Sequence, residues 1–182
     1  LPAHVTLRVR SDVTSLRDTR VAHEIQRTFA RGCARPGFRL VHYSLQGNHA
    51  HLVVEATDRD ALGRGMKAIG SRLARAVNRI RGRSGPVLAE RYCHRLLPTP
   101  REVRNTLRYV LLNAQRHAKK VGKLDPASSA RWFDGWKRGL SLTRATTGIG
   151  PDTPRPVARA RTWLLNVGWR RGGLLDPADV PG

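Results

Sequence analysis

The chain has two cysteines, one methionine and only 13 acidic residues, and aromatic side chains make up 5% of its 182 residues. Each scarcity excludes something. Cys33 and Cys93 stand far apart with no CxxC partner, which argues against a zinc ribbon or a disulfide framework and leaves two buried thiols in a reducing cytoplasm as the simplest expectation. No run approaches the roughly 18 uninterrupted apolar residues of a membrane-spanning helix, and the basic residues are spread throughout the chain, so no membrane partner is expected. The first residue is Leu1 and no signal-like apolar stretch follows it; a missing start or trimming is the expectation.

The shortage of acids leaves the charge unbalanced: 34 Lys and Arg give a formal net charge of +21 and a sequence pI near 11.7. A field of that sign attracts polyanions, and release of their counterions makes binding favourable and salt-dependent. Nucleic acid is the expected partner. The length suits one domain with a sizeable core, or one domain with an appended tail, and not a second full domain.

Against this background one stretch stands out, Leu45-Gln-Gly-Asn-His-Ala-His-Leu-Val-Val-Glu55. On an extended chain the side-chain period is two, so His49, His51, Val53 and Glu55 share one face while Ala50, Leu52 and Val54 take the other. Two imidazoles on one face make a two-nitrogen site for a divalent metal; the same pair can also be the solvated face of a half-buried strand. Gln46-Gly47-Asn48 supplies the Gly and Asn of a tight hairpin turn, and Phe38 to Leu45, rich in β-formers, is the preceding strand.

The rest of the chain alternates strands and helices. His4 to Arg10 places Val5, Leu7 and Val9 on one face and His4, Thr6, Arg8 and Arg10 on the other, a first strand. Apolar residues at near-helical spacing predict a helix from about Ser15 to Arg31, ended by Gly32 and Pro36-Gly37. From Asp58 to Arg81, Leu62, Met66, Ile69, Leu73, Val77 and Ile80 form a core stripe, and Arg64, Arg72, Arg75 and Arg79 fall opposite. With no acid among them, these arginines are candidate phosphate contacts, although such a face can simply be solvated. Pro86 to Leu97 reads as another strand or strand pair. Thr99-Pro100-Arg101-Glu102 is a capping box with Pro at the first helical position, opening a helix to about Val121. Its core stripe is Val103, Leu107, Val110, Leu111, Ala114 and Ala118, and its last turn is basic, with Arg116, His117, Lys119 and Lys120. Tyr109 and Asn113 lie off that stripe, four apart on one face.

This order fits an α/β (α+β) fold: a ferredoxin-like antiparallel sheet with packed helices, followed by an extra helix. Residues 1–121 are expected to form the domain, and residues 122–182 a C-terminal extension that is rich in Gly and Pro and holds all four tryptophans. Within it, Gly148 to Pro156 reads as a linker and Val157 to Val167 as a short helix. Tryptophans can offer stacking platforms for unpaired bases, but packing of the tail onto its own domain is the expectation.

Joining the histidine pair, the helical tyrosine and the charge balance suggests chemistry on nucleic acid. Two neutral imidazoles leave most of a divalent ion's coordination open for a phosphate oxygen and a third ligand. A phenol can attack the polarised phosphate, and with a pKa of about 10, against roughly 16 for water, it remains a competent leaving group for a later attack by a DNA hydroxyl. Bond energy is retained in the aryl ester, so no nucleotide cofactor is needed.

From about Pro2 to Lys120 the sequence resembles the single-tyrosine HUH transposases of bacterial insertion sequences, especially the REP-associated tyrosine transposases. The matching residues are Asn48-His49-Ala50-His51-Leu52, the arginine-rich helix after it, Glu90-Arg91-Tyr92, and Tyr109-Val-Leu-Leu-Asn113-Ala-Gln-Arg116, where the family typically has Tyr-Ile-x-x-Asn-Pro-x-Arg. The resemblance implies that His49 and His51 are ligands of Mg2+ or Mn2+, that Tyr109 is the nucleophile, and that Asn113 is a third ligand or a polar group near the metal. It implies cleavage and rejoining of single-stranded DNA at hairpin-associated sites through a 5′-phosphotyrosine, by a monomer or homodimer at the bacterial nucleoid. Two departures are Ala50, where the motif carries a bulky apolar residue, and Ala114, where many relatives carry proline.

Tyr92 is the competing tyrosine and is taken as structural. Glu55 shares the histidine face and is a weaker candidate for the metal's surroundings. His4, His42, His94 and His117 are not expected to be ligands. The alternative functions are a catalytically silent protein of the same descent that binds structured DNA, and a metal-free phosphoesterase, for which His4-Val5-Thr6 provides only one of two required HxT patterns.

Overall fold

The computed structural model describes residues 1–118, 124–137 and 154–179. Alternation at the N-terminus forms β1 (Pro2–Arg8), whose Val5 and Leu7 are buried while His4 and Thr6 point the other way and are half-buried. The chain then builds α1 (Thr19–Ala30), the two-residue β2 (Ala34–Arg35), the hairpin β3 (Phe38–Leu45) and β4 (His49–Ala56), α2 (Arg59–Arg81), β5 (Cys93–Leu96) and α3 (Pro100–Ala118). A last short helix, α4, spans Trp163–Asn166.

The strands form one antiparallel sheet in the order β2-β3-β4-β1-β5. Leaving out the short β2, this is the ferredoxin-like order expected from the sequence. Period-two alternation then divides the molecule into layers. Ala50, Leu52 and Val54 of β4, with Val5 and Leu7 of β1, pack under Ile25 and Phe29 of α1 and Met66, Leu73 and Val77 of α2. Val53 faces the other way and packs with Val103, Leu107, Val110 and Leu111 of α3. The histidine face of β4 is therefore the α3 face.

Local signals explain where the helices begin. α1 starts at Asp18, not near Ser15, because the Asp18 carboxylate accepts from the amides of Arg20 and Val21, each at 3.1 Å. Asp58 caps α2 by accepting from the amide of Ala61 at 2.7 Å, and Gly82 ends that helix in the left-handed region at φ 58°. Gly65 lets α2 approach β3 closely: a Cβ there would lie 2.1 Å from the Phe38 ring. The capping box of α3 forms as expected, with Glu102 N–H donating to Thr99 Oγ1 at 3.2 Å and the Thr99 hydroxyl donating to Glu102 Oε2 at 2.7 Å.

The extension packs against α3 and the same sheet face. Trp136 and Trp169 are buried there around Phe133, with ring centroids 4.9 and 5.3 Å from it, and their indole N–H groups donate to the carbonyls of Ala130 and Leu165. Trp132 is partly buried and Trp163 is 49% exposed. The helix expected from Val157 is shorter than its pattern because Ala158 N–H bonds to Leu40 O at 2.8 Å, leaving Thr162 to cap α4. The two thiols also differ from expectation: both are free, Cys33 is half-buried, and Cys93 is exposed because β5 is an edge strand. The basic side chains at 116–120 and the linker at 148–153 lie outside the described residues. No helix among the described residues is long and apolar enough to cross a membrane.

Candidate active site

The register of β1 on β4 sets Thr6 opposite His51 and Arg8 opposite His49, with His4 opposite Val53. Same-face neighbours on adjacent strands are within side-chain reach, so β1 contributes His4 and Thr6 to the surroundings of the histidine pair. The two histidines converge: His49 Nε2 and His51 Nε2 are 3.0 Å apart. Tyr109 reaches down from α3, placing its hydroxyl 3.3 Å from His51 Nε2 and its ring edge-on to the His51 ring at a centroid distance of 5.1 Å. Asn113, one turn further along the same helix, is 3% exposed.

The outer nitrogens of both rings are also engaged. Asn48 Oδ1 lies 2.7 Å from His49 Nδ1; an amide oxygen only accepts, so the Nδ1–H is donated and the Nε2 lone pair is left facing His51. His51 Nδ1 faces His4 Nε2 at 3.2 Å and Thr6 Oγ1 at 3.4 Å. Burial, and then repulsion from His4 and His49, pushes the pKa of His51 down to about 3. Burial, reinforced by the nearby Arg95 guanidinium, also lowers that of His4. Both rings are thus neutral at pH 7, and neutral imidazoles have a lone pair to offer.

The structure therefore brings His49, His51 and Tyr109 together, with Asn113 buried on the same helix. It places the four α2 arginines elsewhere, on the layer across the sheet. Arg79 pairs with the buried Glu24 of α1 at 2.5 Å, and Arg72 donates to the Thr28 carbonyl at 3.5 Å. Arg75 donates to Ser71 O at 3.3 Å, and Arg75 and Arg64 are exposed. Tyr92 also lies on that far side, lining a groove between α2 and residues 86–94. Glu55 is on the histidine face but committed to the extension: its carboxylate accepts from Arg161 N–H, Thr162 N–H and the Thr162 hydroxyl at 2.7–3.0 Å.

Sequence reasoning missed His4, Thr6 and Asn48 as parts of this cluster. The alternation of β1 had put His4 and Thr6 on one face, but only the register shows that this face meets His51. Arg8 and Arg95 were missed for the same reason. They lie on the sheet face of the pair, opposite His49 and His4 in register, with side chains 70% and 68% exposed and paired with Glu90 and Glu102. Among the described residues no group of three or more His, Cys, Asp or Glu side chains could hold a metal ion, so any metal here would have to draw on oxygen donors besides the imidazole pair.

No family model matches the sequence, and no curated protein matches it. Solved structures resemble the fold, among them these two. A structure from Deinococcus radiodurans, provisionally described as a transposase, is 18% identical and aligns over 53% of this chain and 78% of its own, with a TM-score of 0.44. A REP-associated tyrosine transposase bound to a REP hairpin is 14% identical over 64% of this chain and 68% of its own, with a TM-score of 0.50. The likeness to the second is one of fold: this chain shares with that tyrosine transposase an antiparallel sheet with packed helices.

Proposed function

We propose that the protein is a DNA strand transferase of the tyrosine transposase type, which cleaves and rejoins single-stranded DNA at hairpin-associated sites. The observation that carries this reading is the convergence of the Tyr109 hydroxyl, 3.3 Å from His51 Nε2, with two imidazole Nε2 atoms 3.0 Å apart. The fold and the +21 charge support it.

The donor set fits a divalent cation. Metal–nitrogen bonds of about 2.1 Å at right angles require about 3 Å between two ligand nitrogens, which is the spacing of the Nε2 atoms. His49 and His51 would hold Mg2+ or Mn2+, with Asn113 as a third, oxygen ligand. When bound, the ion would polarise the scissile phosphate and offset its charge.

The chain's own residues do the rest. Tyr109 supplies the nucleophilic oxygen; its bond to phosphorus forms as the bond to the 3′ oxygen breaks, the phenol proton passes to water, and the departing oxygen takes one up. The 5′ phosphate remains on Tyr109 until a DNA 3′ hydroxyl displaces the phenol. Arg8, opposite His49, and Arg95, opposite His4, would meet the backbone phosphates of a strand entering the site, and Arg64 and Arg75 would contact DNA on the far layer, where Arg72 and Arg79 are engaged by Thr28 and Glu24.

The test incubates the protein with hairpin-bearing single-stranded oligonucleotides, with EDTA or with Mg2+ or Mn2+, and runs a denaturing gel. A metal-dependent covalent adduct that is lost in His49→Ala supports the reading. Tight hairpin binding with no adduct on any substrate would favour a silent DNA-binding protein.

A further inference from the structure

We propose that His4, on β1, is a positioning residue: its Nε2 accepts the Nδ1–H of His51 and so holds His51 in the tautomer that turns the Nε2 lone pair toward His49 and Tyr109. The inference rests on the functional reading above, because it gives the orientation of His51 a purpose.

A neutral imidazole has one N–H and one lone pair, and whichever nitrogen finds an acceptor keeps the proton. A histidine side chain in water favours the proton on Nε2, which for His51 would aim a donor at His49 and block the convergent site. The protein must therefore supply an acceptor at Nδ1. Asn48 does this for His49; for His51 the candidates are His4 Nε2 at 3.2 Å and Thr6 Oγ1 at 3.4 Å.

Three observations favour His4. It is the shorter contact. Its ring stacks at a tilt of 36° on His51, with centroids 5.2 Å apart, and meets the Tyr109 ring edge-on at 6.1 Å, so it is held between the two groups it would organise. A hydroxyl also rotates and can donate as readily as accept, so Thr6 cannot by itself impose a tautomer. His4 is not placed as a metal ligand, because it approaches His51 from the side away from His49. Its place is that of the acceptor which orients a ligating histidine and raises its basicity.

The test has two readouts that do not depend on DNA cleavage. In 15N-histidine-labelled, metal-free protein, NMR should show the His51 proton on Nδ1 and a nitrogen–nitrogen coupling across the hydrogen bond to His4 Nε2. Mn2+ binding followed by EPR should weaken by about tenfold or more in His4→Leu, recover in His4→Gln, whose carbonyl can accept the same proton, and hold in Thr6→Val. A His51 proton on Nε2 would overturn the proposal, as would loss of Mn2+ affinity in Thr6→Val with none in His4→Leu. If the wild type binds no Mn2+ at all, the functional reading fails separately, and the tautomer and coupling alone decide the role of His4.

Discussion

The Tyr109 hydroxyl lies 3.3 Å from His51 Nε2 although 58 residues separate them in sequence. Two unrelated local patterns meet there. The turn and alternation of the β3–β4 hairpin aim the imidazole off the sheet, and the capping box at Thr99 fixes where α3 begins and hence which of its faces points down. A phenol brought to a pair of convergent ring nitrogens is a polar meeting, in which each group has atoms that an apolar interface would leave unsatisfied.

Glu55 has a different task from its neighbours on the strand. Its carboxylate receives three donors from residues 161 and 162, so Glu55→Ala should leave them unpaired and cost about 2–3 kcal/mol. Urea unfolding would show this. Mn2+ affinity should be unchanged, and a large loss of affinity would instead make Glu55 part of a metal site.

His42 should make the fold acid-sensitive. Burial pushes its pKa from an ordinary 6.5 down to about 3. Between those values the unfolded chain binds a proton that the folded chain does not, so its contribution is intact above about pH 6.5 and is lost as pH falls toward 3. His51, pushed the same way, adds to the trend. Urea-unfolding free energies at pH 7 and 4.5 should differ less in His42→Gln than in wild type.

The tryptophans should divide by burial. Trp169 is 1% exposed, and Trp169→Ala should cost about 3–5 kcal/mol. Trp163 is 49% exposed with the Arg171 guanidinium 4.9 Å over its ring, so Trp163→Ala should cost about 1 kcal/mol or less. Thermal melts separate the two.

The α2 arginines should divide as well. Arg64 and Arg75 are exposed, so replacing either with Gln should weaken DNA binding and reduce the salt slope by about 1. Arg79 is held by Glu24; Arg79→Gln should lower stability by about 1 kcal/mol or less and affect the salt slope less. Fluorescence anisotropy at several salt concentrations distinguishes these outcomes.

What was legible in the sequence was what short-range physics determines. Alternation placed His49 and His51 on one face, the Gly47-Asn48 turn located the hairpin, and Thr99 with Glu102 marked a helix start that the structure reproduces. What was not legible depended on which elements meet. The contact of His4 with His51 comes from the register of β1 on β4, across 47 residues, and nothing local encodes it. Helical spacing gave α2 an arginine face, but the packing of α1 against it decided that Arg72 and Arg79 are engaged. Cys93 was expected to be buried because isolated thiols usually are; its exposure follows from β5 being an edge strand. Periodicity suggested a helix from Val157, and the amide of Ala158, taken by Leu40 O, explains its late start.

The proposed chemistry at Tyr109 stands or falls on the identity of the residue that carries DNA. The protein is incubated with hairpin-bearing single-stranded DNA and Mg2+ or Mn2+, digested, and the nucleotide-linked peptide sequenced by mass spectrometry. With Tyr109 as nucleophile, the phosphodiester is expected on Tyr109 and absent in Tyr109→Phe while folding and hairpin affinity are retained. An adduct on Tyr92, or one that survives Tyr109→Phe, would contradict that role.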